Sequence, residues 1–192
     1  MTARWRGALV LLVACLLAIA GCSGAGGEKS DGVDDAFLAR YDLDGLSARE
    51  VIDRLDAMPV QDRPAELAAS VRPDVLVLSE GRREVELPMP RDEVYVSVAP
   101  YRRDTHDCHF HSLTTCLGEL ANASLRVELT AADGEVLLSE TRSTFDNGFV
   151  GLWVPRGVRG TLTLEHEGSR GTVPVSTRGH QDATCVTTLR LT

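Results

Sequence analysis

The sequence has few aromatic residues, a single lysine and a deficit of positive charge. Aromatic residues make up 5% of the 192 positions, and Lys29 is the one lysine beside 19 arginines. Acidic residues outnumber basic ones by 28 to 20, which gives a net charge of −8. Nucleic-acid binding needs a basic face, and binding of single strands usually needs aromatic platforms. We therefore predict no nucleic-acid partner.

The motifs of common enzyme classes are also missing. The chain has no CxxC, GxSxG, GxGxxG or P-loop sequence, and His166-Glu167 lacks the second histidine of a zinc-protease helix. Methionine occurs at three positions, too few for a copper carrier that uses thioether ligands. We therefore predict a binding protein and not an enzyme, in which any reduction of a metal would be stoichiometric.

A hydrophobic run near the N-terminus predicts export. Arg4 and Arg6 precede 13 apolar residues at 8–20, a length that is short for a membrane span and typical of a signal peptide. The run ends in the sequence IAGC at 19–22, which resembles the lipobox of bacterial lipoproteins. We predict a lipoprotein signal peptide over 1–21 and a mature protein that works outside the cytoplasm.

Lipidation of Cys22 would anchor the mature protein to a membrane that it does not span. The glycine- and serine-rich residues that follow predict a flexible tether over 22–35. The alternative is an ordinary secretory signal that is cleaved nearby, in which case Cys22 has no role.

An odd number of cysteines remains in the mature protein. Cys15 leaves with the signal peptide, and Cys22 would carry the lipid. The remaining thiols belong to Cys108, Cys116 and Cys185. Exported proteins normally pair their cysteines, so one interpretation is a structural disulfide plus a buried free cysteine. The other is a three-thiol site for a soft metal, in which a disulfide is one state of a working cycle.

The residues between 34 and 72 have a helical pattern. The capping box Ser47–Glu50 begins a helix with one apolar face, and Pro59 ends it. A second helix is predicted to begin at residues 62–64, with three apolar residues on its buried side: Leu67, Ala68 and Val71.

After residue 73 the apolar residues alternate, which predicts at least seven short β-strands separated by turns. Asn147-Gly148 is one such turn and is interpreted, with Phe149, as hairpin and core. Pro174 between two valines indicates an edge strand. We predict an α+β fold, in which a small N-terminal helical region, spanning 36–92 with the first strands, precedes an antiparallel β-sandwich over 93–192.

The chemistry concentrates in one loop between two predicted strands. Residues 106–116 hold three of the five histidines and two of the three mature thiols. Cys185 begins the last predicted strand, on its inward face. The third thiol would therefore meet this loop if both lie at the same end of the sandwich.

Three thiolates suit Cu(I), which is soft and accepts two or three sulfur ligands. Two thiolates can also each give one electron to Cu(II) and form a disulfide, while the third keeps hold of the metal. Imidazole can bind Cu(II) before its reduction, and His111 is our candidate; His106, His109 and His180 are weaker ones. Zinc would want a fourth ligand, which a histidine could supply, so zinc stays open. The predicted metal ligands are Cys108, Cys116, Cys185 and His111.

Three segments of the sequence resemble the CueP family of extracytoplasmic bacterial copper-binding proteins. These segments are Ser97–Leu120, Phe145–Gly157 and Asp182–Thr192, and the resemblance extends over about 37–192. It implies copper binding and reductive capture of copper by the three mature thiols, and a homodimer built through the N-terminal region. The lipobox is a departure from the periplasmic members, which leaves open which exported protein would accept the copper.

The favoured hypothesis is a membrane-anchored copper-binding protein that serves copper homeostasis or resistance. A second hypothesis is a surface β-sandwich with a structural or adhesion role, which predicts a permanent bridge between Cys116 and either Cys108 or Cys185. A third is a thiol–disulfide oxidoreductase, against which the missing CxxC counts.

Overall fold

The computed structural model of the protein describes the backbone of residues 28–192, and its side chains from residue 34 onward. The predicted signal peptide over 1–21 and the lipidation of Cys22 lie outside the described residues. In this part of the chain no helix is long and apolar enough to cross a membrane. The helices and strands are, in chain order, α1 (Glu28–Ala39), α2 (Ala48–Asp56), β1 (Ala68–Val71), β2 (Val75–Glu80), β3 (Arg83–Pro88), β4 (Glu93–Val98), β5 (His111–Ser112), β6 (Ser124–Ala131), β7 (Val136–Ser143), β8 (Val150–Pro155), β9 (Arg159–His166), β10 (Ser169–Ser176) and β11 (Cys185–Val186).

The capping box begins α2 as predicted. The Ser47 side chain accepts a hydrogen bond from the Glu50 amide, and the Glu50 carboxylate accepts one from the Ser47 amide at 2.8 Å. The helix ends at Asp56, earlier than Pro59, and it buries Val51, Ile52 and Leu55. Helix α1 begins inside the range predicted for the tether.

The second predicted helix is wrong. A short 3₁₀ helix covers Val60–Asp62, and the chain then enters strand β1. Leu67, Ala69 and Val71 are all buried, so the apolar residues alternate with a period of two. The same residues had suggested a helical face because Leu67, Ala68 and Val71 also fit the spacing of one helical turn. Pairing with β2 and β5 decides between the two patterns.

Helices and strands enclose a first core. The N-terminal sheet has the strand order β3-β2-β1-β5, all antiparallel. Side chains of α1, α2 and this sheet pack together with Tyr95 and Leu113. Strand β5 belongs to the histidine-bearing loop. The sheet of the N-terminal region therefore includes one strand from residues 93–192, the range predicted for the sandwich.

Two further sheets form the predicted β-sandwich. The central sheet has the order β11-β4-β8, and the outer sheet has the order β10-β9-β6-β7. Their facing valines and leucines form the second core. Strand β10, which contains Pro174, lies at an edge as predicted. The predicted α+β fold, a small N-terminal helical region followed by a β-sandwich, is confirmed, and most of the described residues in helices and strands are in strands.

Strand β4 is buried on both faces. Val94 and Val96 pack in the second core, whereas Tyr95 packs in the first core and Ser97 is fully buried. This alternation of side chains along one strand places Tyr95 and Ser97 toward α2. Strand β11 is shorter than the predicted last strand and pairs with β4 in parallel.

Candidate metal centre

Backbone contacts bring the histidine-bearing loop against the last segment of the chain. The carbonyl oxygen of His109 accepts hydrogen bonds from the amides of Thr184 and Cys185, both at 3.0 Å. The Thr184 hydroxyl accepts from the His111 amide at 3.0 Å and donates to the Val71 carbonyl oxygen at 2.6 Å. Cys108 and Cys185, 77 residues apart in sequence, therefore lie at the same end of the sandwich.

The Glu119 carboxylate holds the start of this loop. It accepts hydrogen bonds from the amides of three successive residues, Arg103 (2.9 Å), Arg102 (2.9 Å) and Asp104 (3.1 Å). These bonds lower the pKa of Glu119 to about 2 because they favour the charged carboxylate. The segment that leads to Cys108 is thus fixed to the residue three positions after Cys116.

The turn at Asn147 holds the other end of the loop. The Gly118 amide donates to the Asn147 carbonyl oxygen at 2.6 Å. Gly148 has φ +79°, and a Cβ at this residue would come within 2.5 Å of the Gly118 carbonyl oxygen. Both the positive φ and the close approach require glycine at 148.

The three mature sulfur atoms converge. Cys108 and Cys185 form a disulfide with a Cα–Cα distance of 5.6 Å. Cys116 is a free thiol, buried, with its Sγ 3.6 Å from Cys108 Sγ. The hypothesis of a structural module paired Cys116 with another cysteine, whereas the structure leaves Cys116 as the unpaired sulfur. Cys108, Cys116 and Cys185 pack with Ala99 and Phe149 in a small third cluster.

Two overlapping groups of potential metal ligands share Cys116. One consists of His111, Cys116 and Cys185, all buried. The other consists of His106, which is exposed, together with Cys108 and Cys116. Within each group the ligand atoms lie within 4.8 Å of one another. One ion could therefore bind at a buried position, formed by the first group, or at a more accessible position, formed by the second. Both positions supply nitrogen and sulfur ligand atoms.

His111 is fully buried and held from several sides. Its Nε2 lies 3.1 Å from Asp56 Oδ1, and its ring lies against Phe149 with the centroids 4.7 Å apart. Its Nδ1 is buried without a hydrogen-bond partner. Because Nε2 is engaged by Asp56, Nδ1 is the atom that remains for the sulfur cluster.

Asp56 lies at the centre of a buried polar network. Its Oδ2 accepts from the Tyr95 hydroxyl at 2.6 Å and from the Ser97 hydroxyl at 3.3 Å. Its Oδ1 accepts from the Asn147 side-chain amide at 2.7 Å, besides its contact with His111. Burial raises the pKa of Asp56, but the hydrogen bonds from His111, Tyr95 and Asn147 outweigh burial and hold this pKa below its ordinary value.

Charges couple His111 to Cys116. Burial lowers the pKa of His111, but its hydrogen bond with Asp56 and its contacts with Cys116 and the Asp56 charge raise that pKa to about 9. Burial raises the pKa of the Cys116 thiol, and His111 outweighs burial, so the net shift is downward. Nδ1 makes no hydrogen bond of good geometry to the sulfur, so we regard this coupling as mainly electrostatic. In the metal-free protein the pair therefore favours imidazolium and thiolate together, and a metal that binds Nδ1 would displace its proton.

Arg63 adds a positive charge at the same place. Its side chain is 4% exposed, its guanidinium lies 4.0 Å from Asp56, and NH1 donates to the Cys116 carbonyl oxygen at 3.0 Å. Burial lowers the pKa of Arg63. The guanidinium offsets part of the charge of Asp56 and fixes the backbone of Cys116.

The remaining histidine candidates have other contacts. His109 Nε2 lies 3.0 Å from the Gln181 carbonyl oxygen, and the ring is exposed. His180 is 86% exposed and pairs with Asp74. Neither belongs to the two ligand groups found among the described residues. Of the weaker candidates, the structure places His106 at the sulfur cluster.

Sequence reasoning missed the polar residues behind the site. Asp56 follows Ile52 by four positions and so lies on the apolar face of α2, where a carboxylate is unexpected and could have drawn attention. Asn147 was assigned to a hairpin alone, but its side chain donates to Asp56 and accepts from the Phe149 amide at 2.8 Å.

Residues 50–190 match the model of a family described as periplasmic copper-binding protein CueP. A solved structure titled "Crystal Structure of S.CueP" is 35% identical to the chain, with a TM-score of 0.78. The match covers 83% of this chain and 97% of that one. The chain belongs to the CueP family. No curated protein matches it. Copper binding in the periplasm is therefore the property of its family, and the Cys/His cluster is where the described residues could hold a metal.

Proposed function

We propose that this CueP-family chain captures copper outside the cytoplasm with Cys108, Cys116, Cys185 and His111, and reduces Cu(II) to Cu(I). The observation that carries the proposal is the state of the three sulfur atoms. Two of them are joined as a disulfide, and the third is free at 3.6 Å from Cys108 Sγ. This arrangement is what remains when two thiolates have given up electrons and one ligand still holds the metal.

The electrons balance for two copper ions. The thiolates of Cys108 and Cys185 each give one electron to a Cu(II), so two Cu(II) become two Cu(I) and one S–S bond forms. Cys116 and His111 keep their lone pairs and retain one Cu(I), and the other Cu(I) is released to an acceptor. The step is stoichiometric in thiols, as expected of a binding protein and not of an enzyme.

Soft donors favour copper over zinc. Cu(I) is satisfied by two or three sulfur or nitrogen ligands, whereas structural zinc needs four. In the reduced protein the buried group of His111, Cys116 and Cys185 supplies three donors, and after the disulfide forms His111 and Cys116 supply two. Copper is therefore our first assignment, and zinc is the competitor to be measured.

Three further expectations belong to the proposal. The protein is anchored to a membrane by lipid on Cys22, forms a homodimer through its N-terminal region, and passes copper to an exported protein. Labelling with a palmitate analogue in wild-type and Cys22→Ser chains tests the anchor, and sedimentation of the purified protein tests the dimer.

The central test is reduction under anaerobic conditions. Fully reduced protein receives two equivalents of Cu(II), Cu(I) is measured with a colorimetric chelator, and free thiols are counted before and after. We expect two Cu(I) and the loss of two of the three thiols that belong to Cys108, Cys116 and Cys185.

Single substitutions distinguish the roles of the sulfurs. Cys108→Ser and Cys185→Ser should abolish the Cys108–Cys185 bond and most of the Cu(I), whereas Cys116→Ser should form the bond but retain less copper. Unchanged Cu(I) binding in all three variants would contradict the proposal, as would Zn(II) binding that outcompetes Cu(I).

A further inference from the structure

Asp56 is a buried charge that none of the steps above uses. Its side chain is fully buried at the end of α2, far in sequence from the cysteines. A carboxylate in this environment costs free energy unless every acceptor site is satisfied. Four side chains hydrogen-bond to it, Tyr95, Ser97, Asn147 and His111, and the Arg63 guanidinium lies 4.0 Å away.

Three of these hydrogen bonds fix the carboxylate, and the fourth contact connects it to the His111 ring. Tyr95, Ser97 and Asn147 come from β4 and from the turn before β8, and their donors at 2.6, 3.3 and 2.7 Å fix the carboxylate. The fourth neighbour, His111 Nε2 at 3.1 Å, lies on the sulfur side. A carboxylate that is held in this way has little capacity left to bind a metal itself. What it can do is hold the imidazole.

The other ring nitrogen makes no hydrogen bond of good geometry. His111 Nδ1 is completely enclosed, and its interaction on this side is with the Cys116 thiol. A buried polar atom without a hydrogen bond costs free energy, so such atoms are rare in folded proteins unless they have another role. The ring also offers one of its nitrogen atoms to a group whose other ligand atoms are the sulfurs of Cys116 and Cys185, all within 4.8 Å. An ion among these sulfurs would be a partner for Nδ1.

We propose that Asp56 is a positioning residue: by accepting the Nε2 proton of His111, it leaves Nδ1 of that ring as the atom that binds copper beside Cys116 and Cys185. The inference rests on the proposed function and adds to it which nitrogen binds and what selects it. When a metal displaces the proton from Nδ1, the Nε2–H that remains directed at Asp56 leaves the lone pair of the ring on Nδ1, and second contacts of this kind orient histidine ligands in metal sites.

The location of Asp56 gives the proposal a structural consequence. Helix α2 belongs to the N-terminal region, whereas His111 and the three cysteines belong to 108–185. The carboxylate therefore connects the first core to the metal site, and the site is complete only when α2 is packed against β4.

The decisive experiment uses ¹⁵N-labelled, fully reduced protein and Cu(I) as the probe. Long-range ¹H–¹⁵N NMR spectra identify which ring nitrogens of His111 carry a proton before and after one equivalent of Cu(I). We expect protons on both nitrogens in the metal-free protein, and a proton on Nε2 alone, with a shifted Nδ1 resonance, after Cu(I) binds. Copper on Nε2, or no response of His111, would overturn the inference even if the protein binds Cu(I). Failure of the wild-type protein to bind Cu(I) would overturn the proposed function itself.

A matched pair of variants tests the role of the carboxylate. Asp56→Asn should weaken Cu(I) binding by about 10- to 100-fold, the range for loss of a contact behind a metal ligand, and should give a mixture of His111 tautomers. Asp53→Asn is the control, because Asp53 lies on the same helix and accepts a hydrogen bond from Trp153 at 2.8 Å. It should leave Cu(I) affinity and the His111 tautomer unchanged. Equal behaviour of the two variants would contradict a positioning role. If Asp56→Asn does not fold, the wild-type tautomer measurement still decides.

Discussion

Cys116 differs from its two neighbours because it keeps its thiol and lies beside a charged imidazole. Burial alone would raise the pKa of this thiol and make it unreactive. His111 reverses the direction of the shift, so the pKa of Cys116 is lower than usual. Thiolate is the form that binds metal, so in the proposed site Cys116 would bind copper at lower pH than an ordinary buried cysteine.

This coupling predicts a pH dependence for Cys116. A lowered pKa means that thiolate forms at lower pH, so alkylation of Cys116 by iodoacetamide should reach half its maximal rate below the ordinary thiol value. In His111→Gln the burial remains and the opposing charge is lost, so the midpoint should move above that value. While the pKa of the thiol lies above neutral pH, each unit of pKa changes the thiolate fraction by about tenfold. Alkylation rates in the metal-free, disulfide-bonded protein, measured by mass spectrometry from pH 5 to 10, test this.

The control variant is His166→Gln. In the wild type the His166 ring contacts the Ser124 carbonyl oxygen, away from the sulfur cluster. The same midpoint in wild type and His111→Gln would show that His111 does not set the pKa of Cys116.

At this scale the sequence indicated the candidate cysteines and His111, which the structure brings together, better than it indicated the residues around them. Cysteine and histidine have recognisable chemistry, and an odd number of thiols in an exported chain needs an explanation wherever the residues lie. Nothing in the chemistry of an aspartate distinguishes Asp56 in the sequence, because aspartates are usually exposed. Its importance depends on contacts with Tyr95, Ser97 and Asn147, which come from distant segments. Only tertiary packing brings these donors together.

At the scale of the elements, a single carboxylate holds the first residues of the loop before β5. Glu119 accepts from three successive amides, and without these bonds the first residues of the loop would have unpaired amides. The loop then continues to β5, which extends the N-terminal sheet. The error over residues 64–71 belongs to the same scale, since a strand and a helix fitted the apolar spacing equally and the decision came from β2 and β5.

We expect Glu119→Gln to loosen this loop while the fold persists. A neutral amide is a weaker acceptor than a carboxylate for backbone N–H groups. Amide hydrogen exchange in residues 102–109 should therefore become faster, with little change in the strands of the outer sheet. Hydrogen–deuterium exchange with mass spectrometry measures this. Glu135→Gln, on the hairpin between β6 and β7, should leave residues 102–109 as in the wild type. Unchanged exchange in Glu119→Gln would mean that other contacts hold the loop.

At the scale of the whole molecule, the bond between Cys108 and Cys185 would link the proposed metal chemistry to stability. It closes a separation of 77 residues and joins the loop to the final segment beside β4. A cross-link over this length stabilises a folded protein by about 4 kcal/mol when it acts by restricting the unfolded chain. Donating electrons to copper would therefore stabilise the protein, and reduction by another thiol would make it easier to unfold.

Thermal unfolding should follow the redox and metal state in a defined order. The reduced, metal-free protein is expected to have the lowest Tm, because it lacks the cross-link and leaves the buried sulfurs and His111 Nδ1 without an ion. Cu(I) should restore most of the loss, since a ligand at about 1,000 times its Kd adds about 4 kcal/mol to the free energy of unfolding. Calorimetry of the oxidised, reduced and Cu(I)-loaded protein under anaerobic conditions gives the three Tm values.

The matched variant is Cys116→Ser, which keeps the Cys108–Cys185 bond. Its oxidised form should show the full stabilisation, whereas Cu(I) should raise the Tm of its reduced form by less than in the wild type. Equal Tm values for the oxidised and reduced metal-free proteins would show that the three sulfurs do not couple the redox state to folding.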